Sequence, residues 1–242
     1  MKVGISLPQF RSEADTVLDA ALRAEATGLD GVFAFDHLWP IGQPERPALH
    51  GPTLLAALAA ETERIAVGSL VARVGLLPDA VLVHLLRTVA RMAGPRLIAG
   101  VGVGDHLSRA ENRAYGVPFA PAAERLARLA GVCRELRVAG ITTWVGGRSE
   151  ATRAVGRAEA GTINLWGVGP AEVAAEVARC EGRAEVTWGG QVDLGRRSTA
   201  ELSAFLHAIE AAGATWAVLA PVGAPWPEAV GSIGAAAGAL VD

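Results

Sequence analysis

The feature that most constrains the fold is an alternation of short β-branched runs with longer, alanine-rich amphipathic segments, repeated eight times. Alternating strands and helices predict a parallel sheet with helical crossovers. Eight units in one unbroken series over 242 residues favour closure into a TIM (β/α)8 barrel; an open doubly wound sheet is the alternative. No linker or low-complexity tract interrupts the series, so we expect a single domain over residues 1–242.

The segments have typical boundary signals, such as the helix that opens at Pro78 and stops at Gly94. The predicted strands are Lys2–Leu7, Gly31–Phe35, Ile65–Val71, Arg96–Val101, Thr142–Val145, Thr162–Leu165, Ala184–Trp188 and Trp216–Ala220. The predicted helices are Glu13–Thr27, Pro52–Glu63, Pro78–Ala93, Pro121–Val138, Ser149–Ala160, Pro170–Cys180, Ser198–Ala212 and Pro225–Leu240.

Composition narrows the function classes. A hydrophobic content of 51% suits one sizeable core, and a net charge of −3 gives no footprint for nucleic acid or an acidic membrane surface. Cys133 and Cys180 lie far apart, and no His, Asp and Glu set has metal-ligand spacing, so we expect no metal. The opening MKVGISLPQF is too short and polar for a signal peptide, which predicts a soluble, cytoplasmic protein.

In a barrel, chemistry belongs to the loops at the carboxyl ends of the strands. Several polar and glycine-rich stretches fall at those places. They are Asp36-His37 after strand two, Ser69-Leu70-Val71 at the end of strand three, GVGVGDH with Gly102, Gly104 and Asp105 after strand four, and VGGRS with Gly146 and Gly147 after strand five. All of them would lie on one rim, as a ligand site requires.

The Gly146-Gly147 turn has two interpretations of equal weight. Glycines let the backbone approach a ligand closely, and the free N–H groups of the following helix start favour an anion. A tight turn with Ser149 as the helix cap would need no ligand. The GVGVGD run alone is more typical of a crowded barrel end than of a dinucleotide site, because the third glycine lacks the right offset.

Asp36-His37 is ambiguous as a pair. Histidine titrates near neutrality and suits proton transfer, with the acid beside it binding a ligand or tuning the imidazole. A solvated loop with Asp36 in an Asx turn is the ordinary alternative. Their position on the same rim as Gly104-Asp105 and Gly146-Gly147 favours a site.

Five stretches in this order resemble the bacterial luciferase-like superfamily, within it the oxidoreductases that use coenzyme F-420, a deazaflavin. They are KVGISLPQF, AEATGLDGVFAFDHLWP, ETERIAVGSLVARV, RLIAGVGVGDHLSRAENRAYGVPF and WVGGRSEATRAVGRAEAGTINLW. The resemblance covers about the first 170 residues and implies hydride transfer between the cofactor and a small organic substrate. We also expect the protein to form a homodimer.

The resemblance also implies roles for individual residues. Asp36 would contact the cofactor and His37 would stand by its reactive ring as acid or base, with Asp105 a second polar group near the substrate. A non-proline cis peptide at Leu70-Val71, beside Ser69, would buttress the ring. The strand-four glycines, Gly102 and Gly104, would line the pocket, and the amides of Gly146 and Gly147 would receive the phosphate.

The chain departs from this family in one respect. The usual insertion before strand five is missing, because LRVAGITTWVGG runs almost directly into the strand. This compact barrel keeps two alternatives open: a luciferase-like monooxygenase using FMN, and a flavin- or deazaflavin-binding protein without turnover. The Asp36-His37 pair favours the deazaflavin over FMN.

Overall fold

A computed structural model describes residues 1–240 and gives a closed parallel barrel ringed by helices. The strands are β1 Lys2–Ser6, β2 Gly31–Ala34, β3 Ala66–Ser69, β4 Ala72–Arg73, β5 Leu97–Gly102, β6 Thr142–Gly146, β7 Thr162–Trp166, β8 Glu185–Asp193 and β9 Trp216–Val222. The helices are α1 Asp15–Ala26, α2 Gly51–Glu61, α3 Asp79–Ala93, α4 Ser108–Ala114, α5 Ala122–Val138, α6 Glu150–Val155, α7 Pro170–Cys180, α8 Thr199–Ala211 and α9 Trp226–Gly238.

Pairing around the sheet closes the barrel and confirms the predicted TIM fold. Strand β1 pairs in parallel with β2 and with β9, and the parallel series continues through β8, β7, β6 and β5. Strands β3 and β4 together fill the third place, since both pair with β5. They flank the Leu70-Val71 peptide bond, which is cis as expected, so the predicted strand Ile65–Val71 is interrupted there.

The core has two layers. An outer layer of aliphatic side chains packs between the strands and the helices, and an inner cluster fills the barrel around Phe33, Trp144 and Trp216. The Phe33 ring stacks on Trp144 with centroids 5.3 Å apart. Glycines on the neighbouring strands leave room for the Phe33 ring, because a Cβ at Gly4 or Gly68 would lie 2.8 or 2.6 Å from it, respectively. Packed aromatic side chains therefore fill the barrel beneath its mouth, the opening at the carboxyl ends of the strands.

The structure differs from the predicted elements in three places. Helix α4 was not predicted; it is a short segment between β5 and α5. The predicted helix Ser149–Ala160 changes at Gly156 from α6 to a π-helical turn, where a Cβ would lie 2.9 Å from Ile163. Strands β8 and β9 run beyond their predicted ends and stay paired up to Asp193 and Val222.

The link between α5 and β6 is only residues 139–141, as the missing insertion predicted. Across residues 1–240, no helix combines the length and apolar character needed to cross a membrane. The same residues contain no cluster of three His, Cys, Asp or Glu side chains able to hold a metal ion.

Candidate functional site

The rim is built on a buried amide that joins the loops after β1 and β2. Gln9 is fully buried, and its Nε2 donates to the carbonyls of Phe35 and Leu49 at 2.8 and 3.1 Å. Its Oε1 accepts from the Phe35 N–H at 2.5 Å. Both ends of the segment that carries Asp36 and His37 are therefore hydrogen-bonded to the loop after β1, which holds the pair in place.

Asp36 is buried, with 3% of its surface exposed. Its Oδ2 accepts from the backbone N–H of Arg73 at 2.8 Å, while Oδ1 has no hydrogen-bond partner within the described residues. Nε2 of His50 lies 3.9 Å from Oδ1. Burial raises the pKa of the Asp36 carboxyl, against the opposing effects of the Arg73 N–H and the nearby cations.

One ring nitrogen of His37 faces α4. Its Nδ1 lies 3.3 Å from Oε2 of Glu111, and its side chain keeps 22% of its surface exposed. Glu111 is almost fully buried, and its Oε1 accepts from the backbone N–H groups of Leu38 and Trp39. One carboxylate thus holds both the imidazole and the backbone that follows it.

Arg73 joins the two carboxylates. Its Nε donates to the Asp36 carbonyl at 2.8 Å, and its Nη2 lies 2.7 Å from Oε2 of Glu111. Burial lowers the pKa of Arg73, opposed by the charges of Glu111 and Asp36. Burial acts to raise the pKa of Glu111, but its hydrogen bond with His37 and the charge of Arg73 outweigh this, so that pKa is lowered. We call Asp36, His37, Arg73 and Glu111 the rim charge cluster.

The residues predicted to lie behind the cofactor ring are close together in the structure. Val71 is half-buried, and its Cγ atoms would lie 2.5 and 2.7 Å from a Cβ at Gly102 or Gly146. Ser69 is buried and its Oγ donates to the Gly100 carbonyl at 2.7 Å, which ties β3 to β5 beside the cis bond. Leu70 belongs to the inner aromatic cluster. Of this group, Val71 and Gly146 are partly exposed.

The Gly146-Gly147 turn is filled by its own helix. Ser149 caps α6, with its Oγ accepting from the Thr152 N–H at 3.2 Å. A Cβ at Gly147 would lie 2.5 Å from Cγ2 of Thr152, so packing is by itself a reason for glycine at this position. A tight turn capped by Ser149 therefore explains the glycine without a ligand. Arg148, beside it, is exposed and forms no ion pair in the described part of the chain.

The loop after β5 brings Gly104 beside Arg73 of the rim charge cluster, where a Cβ would lie 3.4 Å from Cδ of the arginine. Asp105 is exposed and its Oδ1 accepts from the Leu107 N–H at 2.9 Å, as in an Asx turn. Gly104 has φ +66°, a conformation that glycine adopts without strain. A cavity of about 10 Å³ beside Gly104 and Arg73 has room for one water.

Sequence reasoning missed Gln9, Arg73 and Glu111. Arg73 had a readable signal, because a lone arginine inside the apolar run LVARVGLL needs a buried carboxylate partner. Glu111 lies 74 positions from His37 on the unpredicted α4 and gave no local signal.

The open rim suits a flat, partly polar ring. Its apolar walls are Val71, Phe35 and Trp166, with the last two rings edge to face at 5.6 Å. The exposed edge of His37 lies on the same rim, and the orphaned Oδ1 of Asp36 lies behind it. An apolar wall with a proton-carrying imidazole at one side fits a deazaflavin or flavin ring with a substrate next to it.

Comparison with known proteins agrees with this geometry. Residues 1–139, more than half of the chain, match the luciferase-like monooxygenase family. The chain is 31% identical over 130 residues to a protein named F420-dependent glucose-6-phosphate dehydrogenase from Intrasporangium calvum, covering 53% of this chain and 39% of that one. A protein of the same name from Kineococcus radiotolerans is 30% identical over 138 residues, 57% of this chain and 40% of that one. The chain thus spans about two-fifths of the length of these relatives.

Solved structures share the fold at low identity. An F420-dependent secondary alcohol dehydrogenase in complex with an F420-acetone adduct superposes with a TM-score of 0.80 at 11% identity, over 96% of this chain and 97% of that one. The coenzyme F420 dependent tetrahydromethanopterin reductase from Methanopyrus kandleri gives a TM-score of 0.73 at 11% identity, over 97% and 98%. The segment matched by sequence carries β1 to β5, the cis peptide and the whole rim charge cluster, and the chain belongs to the luciferase-like monooxygenase family.

Proposed function

We propose that this protein is an oxidoreductase that uses coenzyme F-420 to move a hydride to or from a small organic substrate. The observation that carries the proposal is His37, whose side chain is 22% exposed at the rim and whose Nδ1 faces the buried carboxylate of Glu111. Relatives named as F420-dependent dehydrogenases support the cofactor, and their names favour a hydroxyl-bearing substrate or the matching carbonyl.

The cofactor ring would lie against Val71, with the backbone of Ser69, Leu70 and Gly102 beneath it. Its phosphate would face the amides of Gly146 and Gly147 and the exposed guanidinium of Arg148. Gly104 and Asp105 would border the substrate side. Asp36 remains a predicted cofactor contact, although its burial favours a role in holding the loop behind His37.

The bound deazaflavin would supply the hydride chemistry, and the chain would supply orientation and the proton. His37 would take the hydroxyl proton in the oxidation direction, or return it to the carbonyl oxygen in reduction. The apolar walls, Phe35 and Trp166, would keep water from the transferred hydride.

Titration of the apoprotein with coenzyme F-420 and, separately, with FMN tests the cofactor by fluorescence. We expect binding of the deazaflavin. In a screen of secondary alcohols and sugar phosphates, His37→Asn should keep that binding and lower turnover by about 10²–10⁴-fold, the usual worth of general acid–base catalysis. Binding of FMN alone would refute the choice of cofactor.

Two rivals each have an observation in their favour. The family description favours an FMN-dependent monooxygenase, which would consume oxygen when reduced FMN is bound. The three-residue link between α5 and β6 leaves the mouth without the usual cover, which favours a binding protein without turnover. Oxygen uptake identifies the first, and tight binding with no turnover across the screen identifies the second.

A further inference from the structure

We propose that Glu111 is a positioning residue that fixes the tautomer of His37: Nδ1 carries the proton and donates it to Glu111, and Nε2 is left bare at the mouth as a proton acceptor. The inference deepens the proposed function and rests on it for its catalytic consequence. The tautomer itself belongs to the apoprotein and can be observed without any cofactor.

The direction of the hydrogen bond follows from the chemistry of its partners. An ionised carboxylate can only accept, so the ring nitrogen that faces it must donate. That nitrogen is Nδ1, 3.3 Å from Oε2 of Glu111. The carboxylate cannot turn away, because its other oxygen is held by the N–H groups of Leu38 and Trp39. The loop and the imidazole are therefore set by one side chain.

The groups around Glu111 keep its carboxylate ionised. Arg73 places Nη2 2.7 Å from the same Oε2, so Glu111 already has a cation and stays ionised without a proton on both ring nitrogens of His37. Asp36 faces the Arg73 N–H and His50. Asp105, on the exposed loop after β5, also acts on Arg73, and Arg125 and Arg128 line the same small cavity as Arg73. When His37 carries a single ring proton, the ionised Glu111 therefore places that proton on Nδ1.

This tautomer decides which proton step His37 can perform. In the oxidation of an alcohol substrate, the O–H proton would pass to the lone pair of Nε2 as the C=O bond forms, and a bound deazaflavin would supply the acceptor for the hydride. A ring protonated on Nε2 would have no lone pair at the mouth. Loss of the orienting carboxylate should therefore lower kcat by about 10–100-fold and leave KM nearly unchanged, because the substrate does not contact Glu111.

The first test is two-dimensional ¹⁵N NMR of the histidine rings in the apoprotein at pH 8, assigned with a His37→Asn variant. We expect the His37 signals of an Nδ1-protonated neutral ring. In Glu111→Gln, whose amide can both donate and accept, the signals should move toward a mixture of tautomers. Glu124→Gln, an exposed acid in the first turn of α5, is the matched control and should leave them unchanged.

A wild-type His37 protonated on Nε2 would overturn the inference, and this measurement holds even where the Glu111→Gln variant fails to fold. An unchanged kcat in a folded Glu111→Gln variant with altered tautomer would overturn it as well. Failure of the wild type to bind coenzyme F-420 would instead refute the proposed function, and it leaves the tautomer measurement as it was.

Discussion

At the scale of single residues, the two buried carboxylates of the rim respond to pH in opposite directions. Burial raises the pKa of Asp36 above its unfolded value of about 3.9, so the folded state is penalised as the pH rises through the folded pKa. The pKa of Glu111 is lowered, so its contribution is present above the unfolded value of about 4.3 and is lost as the pH falls through the folded pKa.

Two isosteric variants test these signs. Asp36→Asn keeps an acceptor for the Arg73 N–H and removes the charge, so its free energy of unfolding should improve relative to the wild type as the pH rises from about 3.5 to 8. Glu111→Gln should worsen over the same range. Urea unfolding at four pH values measures both, and each variant is the control of the other. Parallel pH profiles for the two variants would contradict the assignment.

The same residues show where sequence reading stops. Asp36 and His37 are adjacent, and their place at a strand end made them visible as candidates. Their partners come from other elements, Arg73 from β4 and Glu111 from α4, and Gln9 from the loop after β1 holds the neighbouring Phe35. A pairing over 26 to 74 positions depends on how the barrel closes, so no local pattern could reveal it.

At the scale of elements, glycines mark where strands approach too closely for a side chain. A Cβ at Gly100 in β5 would collide with the Ser69 carbonyl of β3, which is backbone and cannot move aside. Gly100→Ala should therefore lower the free energy of unfolding by several kcal/mol or prevent folding. Gly131 in α5 has open space at its Cβ, so Gly131→Ala should instead stabilise by about 0.5–1 kcal/mol. Chemical denaturation distinguishes them; a mild effect at Gly100 would show that β3 and β5 can separate.

The β6–α6 turn can be tested apart from any ligand. Gly147→Ala should destabilise the protein because its Cβ meets Cγ2 of Thr152, and removing that methyl in Gly147→Ala/Thr152→Ala should recover part of the loss. A double-mutant cycle with the Thr152→Ala single variant isolates the contact, with an expected coupling of about 0.5–3 kcal/mol. Strictly additive effects would mean that Gly147 is needed for a reason other than Thr152.

Most elements were predictable because their signals are local. Strand ends agree within a residue or two at β1, β2 and β5 to β7, where apolar runs stop at polar or glycine residues. Helix α4 was missed because its sequence, SRAENRA, has no apolar face to give a period; what it buries is Glu111 and Asn112, polar residues with partners in other elements. The paired extension of β8 and β9 depends on each strand having the other beside it.

At the scale of the whole molecule, association of two chains stays a prediction. The large exposed hydrophobic side chains of residues 1–240 include Leu107 and Tyr115 at the two ends of α4, and Ile41 in the loop after β2. Analytical ultracentrifugation over a range of concentrations measures the state directly. We expect a homodimer, and a single monomeric species at micromolar concentration would contradict it.

Cofactor binding should appear as stability of the entire fold, because the proposed contacts come from β3, β5 and β6 and exist together only in the folded barrel. A ligand that binds only the folded state at 100 times its Kd stabilises by about 2.7 kcal/mol. For a domain of this size, that corresponds to a rise in Tm of about 5–10 °C. Coenzyme F-420 should give this rise by differential scanning fluorimetry with an extrinsic dye, and FMN at the same concentration should give a smaller one.

Arg148→Ala should reduce the rise for the deazaflavin while leaving the Tm of the unliganded protein unchanged, since Arg148 is exposed and pairs with no acid in the described residues. A larger shift with FMN, or a full shift in the Arg148→Ala variant, would place the cofactor or its phosphate elsewhere.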